Sequence, residues 1–174
     1  MTVDIGTGDG KAVLRWARAE PRRLVIGVDA NAAGMRPSAR RASHVPNAAF
    51  AVAAAEALPP DLDGIADRVT VQFPWGSLLR GILSADGAVL ANLARVAAPG
   101  ATLTILWSLV ARDRGTIGPV PARPDETGYT AAGFDIRELG VASVSDVGSC
   151  GSTWAKRLRA GADRPVTLLR AVRR

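Results

Sequence analysis

The sequence predicts an α/β fold in a single domain spanning residues 1–174, built on a mostly parallel sheet of seven strands with an antiparallel last strand. Three observations predict it. Short apolar runs alternate with segments whose apolar residues recur at helical spacing, the pattern of a sheet threaded by crossover helices. Several apolar runs end in a glycine turn, a carboxylate or a proline, as strands do where they leave a sheet. The last two strand-like runs have no clear long helix between them, so they pair antiparallel.

Taken in order, Thr2 to Ile5 reads as the first strand. Gly10 to Ala19 reads as a helix with Val13, Leu14 and Ala17 on one face, stopped at Pro21. Leu24 to Val28 is a second strand, of the apolar kind that a parallel sheet buries on both faces, and it ends in Asp29. Asn31 to Ser43 is a helix roughened by Gly34 and Pro37, and Asn47 to Val52 is the third strand. Ile65 to Phe73 holds the fourth, with Val69, Val71 and Phe73 alternating against Thr70 and Gln72 until Pro74 stops it. Gly87 to Ala98 is a helix, Pro99-Gly100 a turn, and Ala101 to Trp107 the fifth strand. Residues 108–129 form a Gly- and Pro-rich connector. Thr130 to Leu139 reads as a helix or helix-like turn, Val141 to Val147 as the sixth strand, and Val166 to Val172 as the seventh.

The chemistry gathers first at Asp4-Ile5-Gly6-Thr7-Gly8-Asp9-Gly10. Glycines after a strand permit a tight turn into a helix and let a ligand approach the backbone. A phosphate-cradling P-loop is excluded, because Ala12 follows Gly10-Lys11 and Ile5 stands at the earlier glycine position. The dinucleotide fingerprint is excluded because Lys11 stands where its third glycine belongs. The pattern that remains is the acidic, glycine-rich loop of enzymes that use S-adenosylmethionine (SAM), where a carboxylate suits the cationic amino acid end. A glycine turn without a ligand is the alternative. Asp29, about 20 residues further on, can accept the two hydroxyls of a ribose. Ala53-Ala54-Ala55-Glu56 after the third strand offers a small-residue surface for an adenine ring, or the start of an alanine-rich helix.

Composition narrows the setting. The net charge is +6, which suits an acidic partner such as nucleic acid. From Cys150 onward there are seven basic residues against one acidic residue, Asp163, and Arg36, Arg40 and Arg41 form a second basic patch. One cysteine, Cys150, excludes an intrachain disulfide and argues against a cysteine-based metal site. No run of eighteen apolar residues and no secretory signal pattern appears, so a cytoplasmic protein without membrane contact is expected. A monomer is the expected state. His44, in a short basic loop, reads as a solvated residue.

Four segments occur in a telling order: the glycine loop, Ala54-Ala55-Glu56-Ala57-Leu58-Pro59, Phe73-Pro74-Trp75-Gly76-Ser77-Leu78-Leu79, and Ser152-Thr153-Trp154-Ala155-Lys156-Arg157-Leu158. Together they resemble the aminoglycoside-resistance 16S rRNA methyltransferases that modify N1 of adenine 1408. The likeness runs over nearly the whole chain, and the two tryptophan-bearing segments are far more specific than the glycine loop. The resemblance implies a Rossmann-like class I methyltransferase fold, SAM as cosubstrate without a metal, and 16S rRNA in the 30S subunit as partner. It implies that Asp4, Gly6, Gly8, Asp29, Ala55, Glu56 and Ser77 bind SAM. Trp75 and Trp154 would hold the target adenine, and Ser152 would fix the second tryptophan loop. Arg40, Arg41, Lys156, Arg157 and Arg164 would contact rRNA. Methylation of another RNA or of a small molecule, or ribosome binding with weak or no activity, are the alternative functions.

The residue types fit a ring-nitrogen target. Enzymes that act on an exocyclic amine often carry a polar acceptor, Asn or Asp before Pro-Pro, after the fourth strand, and here Phe73 fills that place. The chain also departs from the family pattern. It has three residues before Asp4, a short Ala42–Pro46 loop where relatives have a longer basic one, Ala162 at a position that is usually basic, and Gln72 in place of an apolar residue. These departures predict reduced RNA contact and weaker SAM binding.

Overall fold

The apolar runs become the strands of one sheet. In chain order the elements are β1 (Thr2–Ile5), α1 (Lys11–Ala19), β2 (Val25–Asp29), α2 (Ala32–Ala42), β3 (Ala48–Val52), β4 (Ala66–Gln72), α3 (Gly76–Leu83), α4 (Gly87–Val96), β5 (Ala97–Trp107), α5 (Glu126–Ala131), β6 (Phe134–Val141), α6 (Val144–Ser149) and β7 (Thr167–Arg173). The computed structural model describes residues 1–110, 113, 118–153, 155 and 164–174. The seven strands lie in the order β3-β2-β1-β4-β5-β7-β6. Strands β1 to β5 pair parallel, and β7 runs antiparallel to both of its neighbours. No helix is long and apolar enough to cross a membrane among the described residues.

Strand alternation separates two layers of core. Val3, Ile5, Val69, Val71, Leu103 and Ile105 are buried with Leu79, Ile82 and Leu83 of α3 and Leu90 and Leu93 of α4. Each such side chain stabilises the fold by roughly 1.5–3 kcal/mol when removed from water. On the opposite face α1 lays Val13, Leu14 and Ala17 against Val25 and Val45. Caps hold the helices at their starts. Asn31 Oδ1 accepts from the Gly34 amide at 3.1 Å, and Asp86 Oδ1 accepts from Ala88 and Val89 at 2.9 and 3.1 Å.

The chain moves outward from β1 to β3, then returns to place β4 beside β1 on its other side. That reversal opens a crevice at the carboxyl ends of β1 and β4, where ligands of such sheets bind. Phe73 continues the β4 line by one residue, its amide donating to the Leu106 carbonyl at 2.7 Å.

Three expectations need correction. The helix expected over 130–139 is the short α5, Glu126–Ala131, and β6 begins at Phe134. A bulge between Ile136 and Glu138 breaks the strand's alternation. It leaves Ile136 and Leu139 three apart, a spacing that mimics a helix. The sixth strand expected over 141–147 is therefore mostly α6, set by a capping box in which Ser143 and Asp146 satisfy each other's amides. Strand β5 starts at Ala97 rather than after the Pro99-Gly100 turn. Helix α3 was not foreseen, because Pro74 read as a stop.

Candidate active site

Asp4 anchors the crevice. It is 2% exposed, and its Oδ1 accepts from Thr70 Oγ1 across the β1–β4 junction at 2.7 Å. Burial pushes its carboxyl from the ordinary 3.8 up to about 6; the Thr70 hydroxyl offsets part of this, and the Asp29 carboxylate pushes further upward. A buried carboxylate without a cationic neighbour is costly, and a ligand ammonium set beside it recovers that cost.

The loop after β1 is shaped by its glycines. Gly6, Gly8 and Gly10 all take left-handed angles, with φ of 73°, 62° and 69°. At Gly6 the conformation favours glycine, and a Cβ there would also push the Leu78 Cδ2 methyl, 2.5 Å away, aside. The Gly6 and Thr7 amides donate to the Val28 carbonyl at 2.8 and 3.0 Å, which ties the loop to β2. Gly8 donates its amide to Asp29 Oδ2, and Asn31 donates to Asp29 Oδ1, each at 2.8 Å. Each Asp29 oxygen keeps a second lone pair, enough to receive a hydroxyl.

The third wall is the turn after β3. The Ala53 amide donates to the Asp29 carbonyl at 3.2 Å. Asn92 of α4 then clasps the segment: its Nδ2 donates to the Glu56 carbonyl at 2.9 Å, and its Oδ1 accepts from the Leu58 amide at 3.0 Å. Ala55 is buried, and the Glu56 side chain stands exposed above it. Ser77, in the first turn of α3, is exposed at the same rim.

The fourth wall comes from far along the chain. Ser152 and Thr153 line the cleft with Asp4, Gly6, Asp9 and Gln72. Thr153 Oγ1 reaches Asp9 Oδ1 at 3.4 Å, and Asp9 also holds Lys11 Nζ at 3.0 Å. Gln72 lines the cleft with Asp4, and its Oε1 is buried with no hydrogen-bond partner among the described residues. A buried carboxylate, a glycine cradle and a hydroxyl-ready Asp29 fit the cationic amino acid end and the ribose of SAM.

Trp75 follows three residues after Gln72 of the cleft wall, 50% exposed and with an extended backbone. Phe73 and Gly76 on either side take left-handed angles, with φ of 50° and 59°. An indole left half in water by a tightly bent turn is a face offered to a planar ligand.

The remaining candidates divide. Trp154, Lys156 and Arg157 lie outside the described residues. Arg40 and Arg41 are exposed in the last turn of α2. That helix starts at the rim, so its end lies ~16 Å away along its axis. Arg164 is buried rather than exposed: its guanidinium pairs with Asp113 and donates through Nε to Ser108 Oγ at 3.3 Å. A phosphate reaching Arg164 would have to replace that carboxylate. Asn92, Thr70 and Thr153 were missed in the sequence. A polar Asn92 within the apolar run Val89-Leu90-Ala91-Asn92-Leu93 was the one visible signal.

Comparison with known proteins gives the same picture. The family model for NpmA, 16S rRNA (adenine(1408)-N(1))-methyltransferase, matches residues 1–173. The 16S rRNA (adenine(1408)-N(1))-methyltransferase of Streptoalloteichus tenebrarius is 32% identical over 94% of this chain and 82% of its own length. Its counterpart in Streptoalloteichus hindustanus is 34% identical with the same coverage. A tryptophan-to-alanine variant of the enzyme from Catenulisporales acidiphilia, crystallised with its cosubstrate SAM, superposes with a TM-score of 0.87 at 34% identity, covering 99% of this chain and 84% of that one. The antibiotic-resistance methyltransferase Kmr superposes with a TM-score of 0.81 at 34% identity, covering 99% and 85%. The chain belongs to the 16S rRNA (adenine(1408)-N(1))-methyltransferase family.

Proposed function

We propose that this protein transfers a methyl group from SAM to N1 of adenine 1408 of 16S rRNA, acting as a cytoplasmic monomer on the 30S subunit without a metal. What supports the reading is a cleft that combines a buried carboxylate with a glycine cradle, and a half-exposed tryptophan three residues beyond its Gln72 wall.

When bound, SAM supplies an electrophilic methyl group on a positively charged sulfur. Asp4 receives the ammonium end. Gly6 and Gly8 keep the loop free of side chains, Asp29 takes the ribose hydroxyls, and Ala55, Glu56 and Ser77 border the adenine. Trp75 stacks on the target base once it leaves its helix, and Trp154 is proposed as the opposite face. Stacking on an aromatic surface contributes about 1–3 kcal/mol per base, which offsets the unstacking.

Nitrogen N1 of adenine carries an in-plane lone pair, so no residue is needed to remove a proton before transfer. The N1–carbon bond forms as the carbon–sulfur bond breaks, and the bonding pair stays on sulfur. The methylated base leaves with a positive charge and can pass a proton to water. Positioning alone can supply ~7–11 kcal/mol of such a barrier. Ser152 fixes the tryptophan loop, and Arg40, Arg41, Lys156 and Arg157 meet phosphates; Arg164 does so by exchanging Asp113. Expression in a susceptible bacterium is then expected to raise its aminoglycoside resistance.

The test is primer extension on small subunits incubated with protein and SAM. A stop at adenine 1408 that requires SAM is the expected result. No stop, at excess protein and with SAM binding confirmed by calorimetry, overturns the proposal.

A further inference from the structure

Phe73 is bulky, yet its φ is 50°, in a region that favours glycine. Conformations of this kind cost of order 1–3 kcal/mol and persist where surrounding structure over-determines them. Two restraints do so here. The Phe73 amide donates to the Leu106 carbonyl at 2.7 Å, which holds the backbone to β5. The ring is buried in a small apolar cluster with Leu106, Cys150, Ala155, Val166 and Leu168, separate from the main core.

The membership of that cluster is informative. Phe73 is two residues from Trp75. Cys150 lies two residues before Ser152, and Ala155 two after Thr153, so the cluster grips both ends of the segment that walls the cofactor cleft. The Ser152 amide approaches Cys150 Sγ at 3.4 Å, which joins that wall to the cluster directly. One side chain therefore stands at the start of the Trp75 turn and packs against the residues that flank the Ser152–Thr153 wall. Burial raises the Cys150 thiol above its ordinary range, so this cysteine acts as packing rather than as a nucleophile.

We infer that Phe73 is a positioning residue: its ring sets the gap between Trp75 and the Ser152–Thr153 wall, the gap through which the target base meets the methyl group. This rests on the proposed methyl transfer to adenine. It assigns Phe73 a task beyond leaving the amine-acceptor position apolar. Packed cores hold their neighbours to sub-ångström tolerance, so ring volume becomes base alignment.

Three variants test it: Phe73→Met, Phe73→Ala and Phe73→Gly. Each is measured for single-turnover methylation of small subunits, for subunit KM, for SAM affinity by calorimetry and for melting temperature. Phe73→Met keeps most of the volume and is expected to stay within about threefold of the wild-type rate. Phe73→Ala and Phe73→Gly are expected to lose about 100-fold in kcat, the effect of a misplacement of about 1 Å. SAM affinity and subunit KM are expected to stay near wild type in all three. Phe73→Gly relieves the backbone conformation, so equal losses in the Ala and Gly variants identify the ring as the cause. A wild-type rate in Phe73→Ala or Phe73→Gly overturns the inference. So does a fall in SAM affinity that tracks the rate, which would make Phe73 part of the cofactor pocket. If either small variant fails to fold, a loss of rate in Phe73→Met as large as that of Trp75→Ala overturns it instead. Absence of methylation by the wild-type protein overturns the function proposed above and this inference with it; activity in the wild type with indifferent Phe73 variants overturns this inference alone.

Discussion

The two sides of the cleft are built on opposite principles. The cofactor side is buried and bonded: Asp4 to Thr70, the glycine loop to Val28, Asp29 to two backbone amides, and Glu56 to Asn92. The base side is exposed and strained, with Trp75 half in water behind a left-handed Phe73. A small ligand of fixed shape is met by groups already in place. On the proposed function, a base that arrives only after leaving its own stack would meet this exposed surface. Cofactor-side substitutions should therefore alter stability and SAM affinity together, and base-side substitutions should alter turnover alone.

Asp4→Asn is expected to give the largest effect and the clearest break in that contrast. Removing the charge that faces the ammonium should weaken SAM binding by about 100-fold, the size of a charge-assisted hydrogen bond in a buried site. The fold should respond in the opposite sense. The Asp4 carboxyl has a folded value of about 6 against 3.8 when free. Its contribution to stability is therefore fully present below the free value and is lost as pH rises through about 6. At pH 8 the ionised, buried carboxylate costs up to ~3 kcal/mol. The Asn variant should accordingly melt higher than the wild type at pH 8, and the advantage should shrink towards pH 4. Differential scanning fluorimetry across that range reads it directly. A variant that melts lower at every pH would show that the Thr70 hydrogen bond outweighs burial. The same ionisation makes wild-type SAM affinity fall below pH 6, by roughly tenfold per pH unit, because the proton must leave before the ammonium can pair.

Trp75→Ala tests the other side. Loss of one stacking face should lower kcat/KM by roughly 10- to 100-fold. SAM affinity and melting temperature should hardly move, because the indole is half exposed. A parallel fall in SAM affinity would mean that the indole belongs to the cofactor wall.

How far these two sides were legible in the sequence follows the same division. β1, β2 and β4 announced themselves as apolar runs ending at Gly6, Asp29 and Pro74, and the cofactor loop could be read because its chemistry is local. What supports that loop could not. Thr70 meets Asp4 across 66 residues, through a strand pairing that a linear pattern does not encode. Asn92 meets Glu56 across 36, and Thr153 meets Asp9 across 144. The bulge in β6 disguised a strand as a helix, and the misreading then spread into α6, whose Ser143–Asp146 capping box was present in the sequence all along. Arg164 looked like one more surface cation, because nothing local tells that Asp113 lies against it.

Asn92→Ala tests whether those silent supports matter. It leaves the Leu58 amide and the Glu56 carbonyl without their side-chain partner. The expected cost is about 1–2 kcal/mol of stability. The SAM KM should rise severalfold at unchanged kcat, since the adenine wall shifts while the base side does not. A drop in kcat would show that the two sides are coupled through α4.

The smallest expected effect comes from Arg40 and Arg41. Each phosphate contact removed should reduce the salt dependence of subunit binding by about 0.7–0.9 in the slope of log K against log salt. The two arginines end a helix that leads away from the rim. They can therefore add affinity for the subunit without touching the reacting base. The double variant Arg40→Ala/Arg41→Ala should bind subunits with a slope lower by between one and two and a KM raised a fewfold at moderate salt, while single-turnover rates at saturation stay at wild type. An unchanged slope would place the rRNA on the rim and the C-terminal part alone. A fall in the saturated rate would mean that a contact this far from Trp75 helps to bring the base into the cleft, and the division between holding the subunit and aligning the base would not stand.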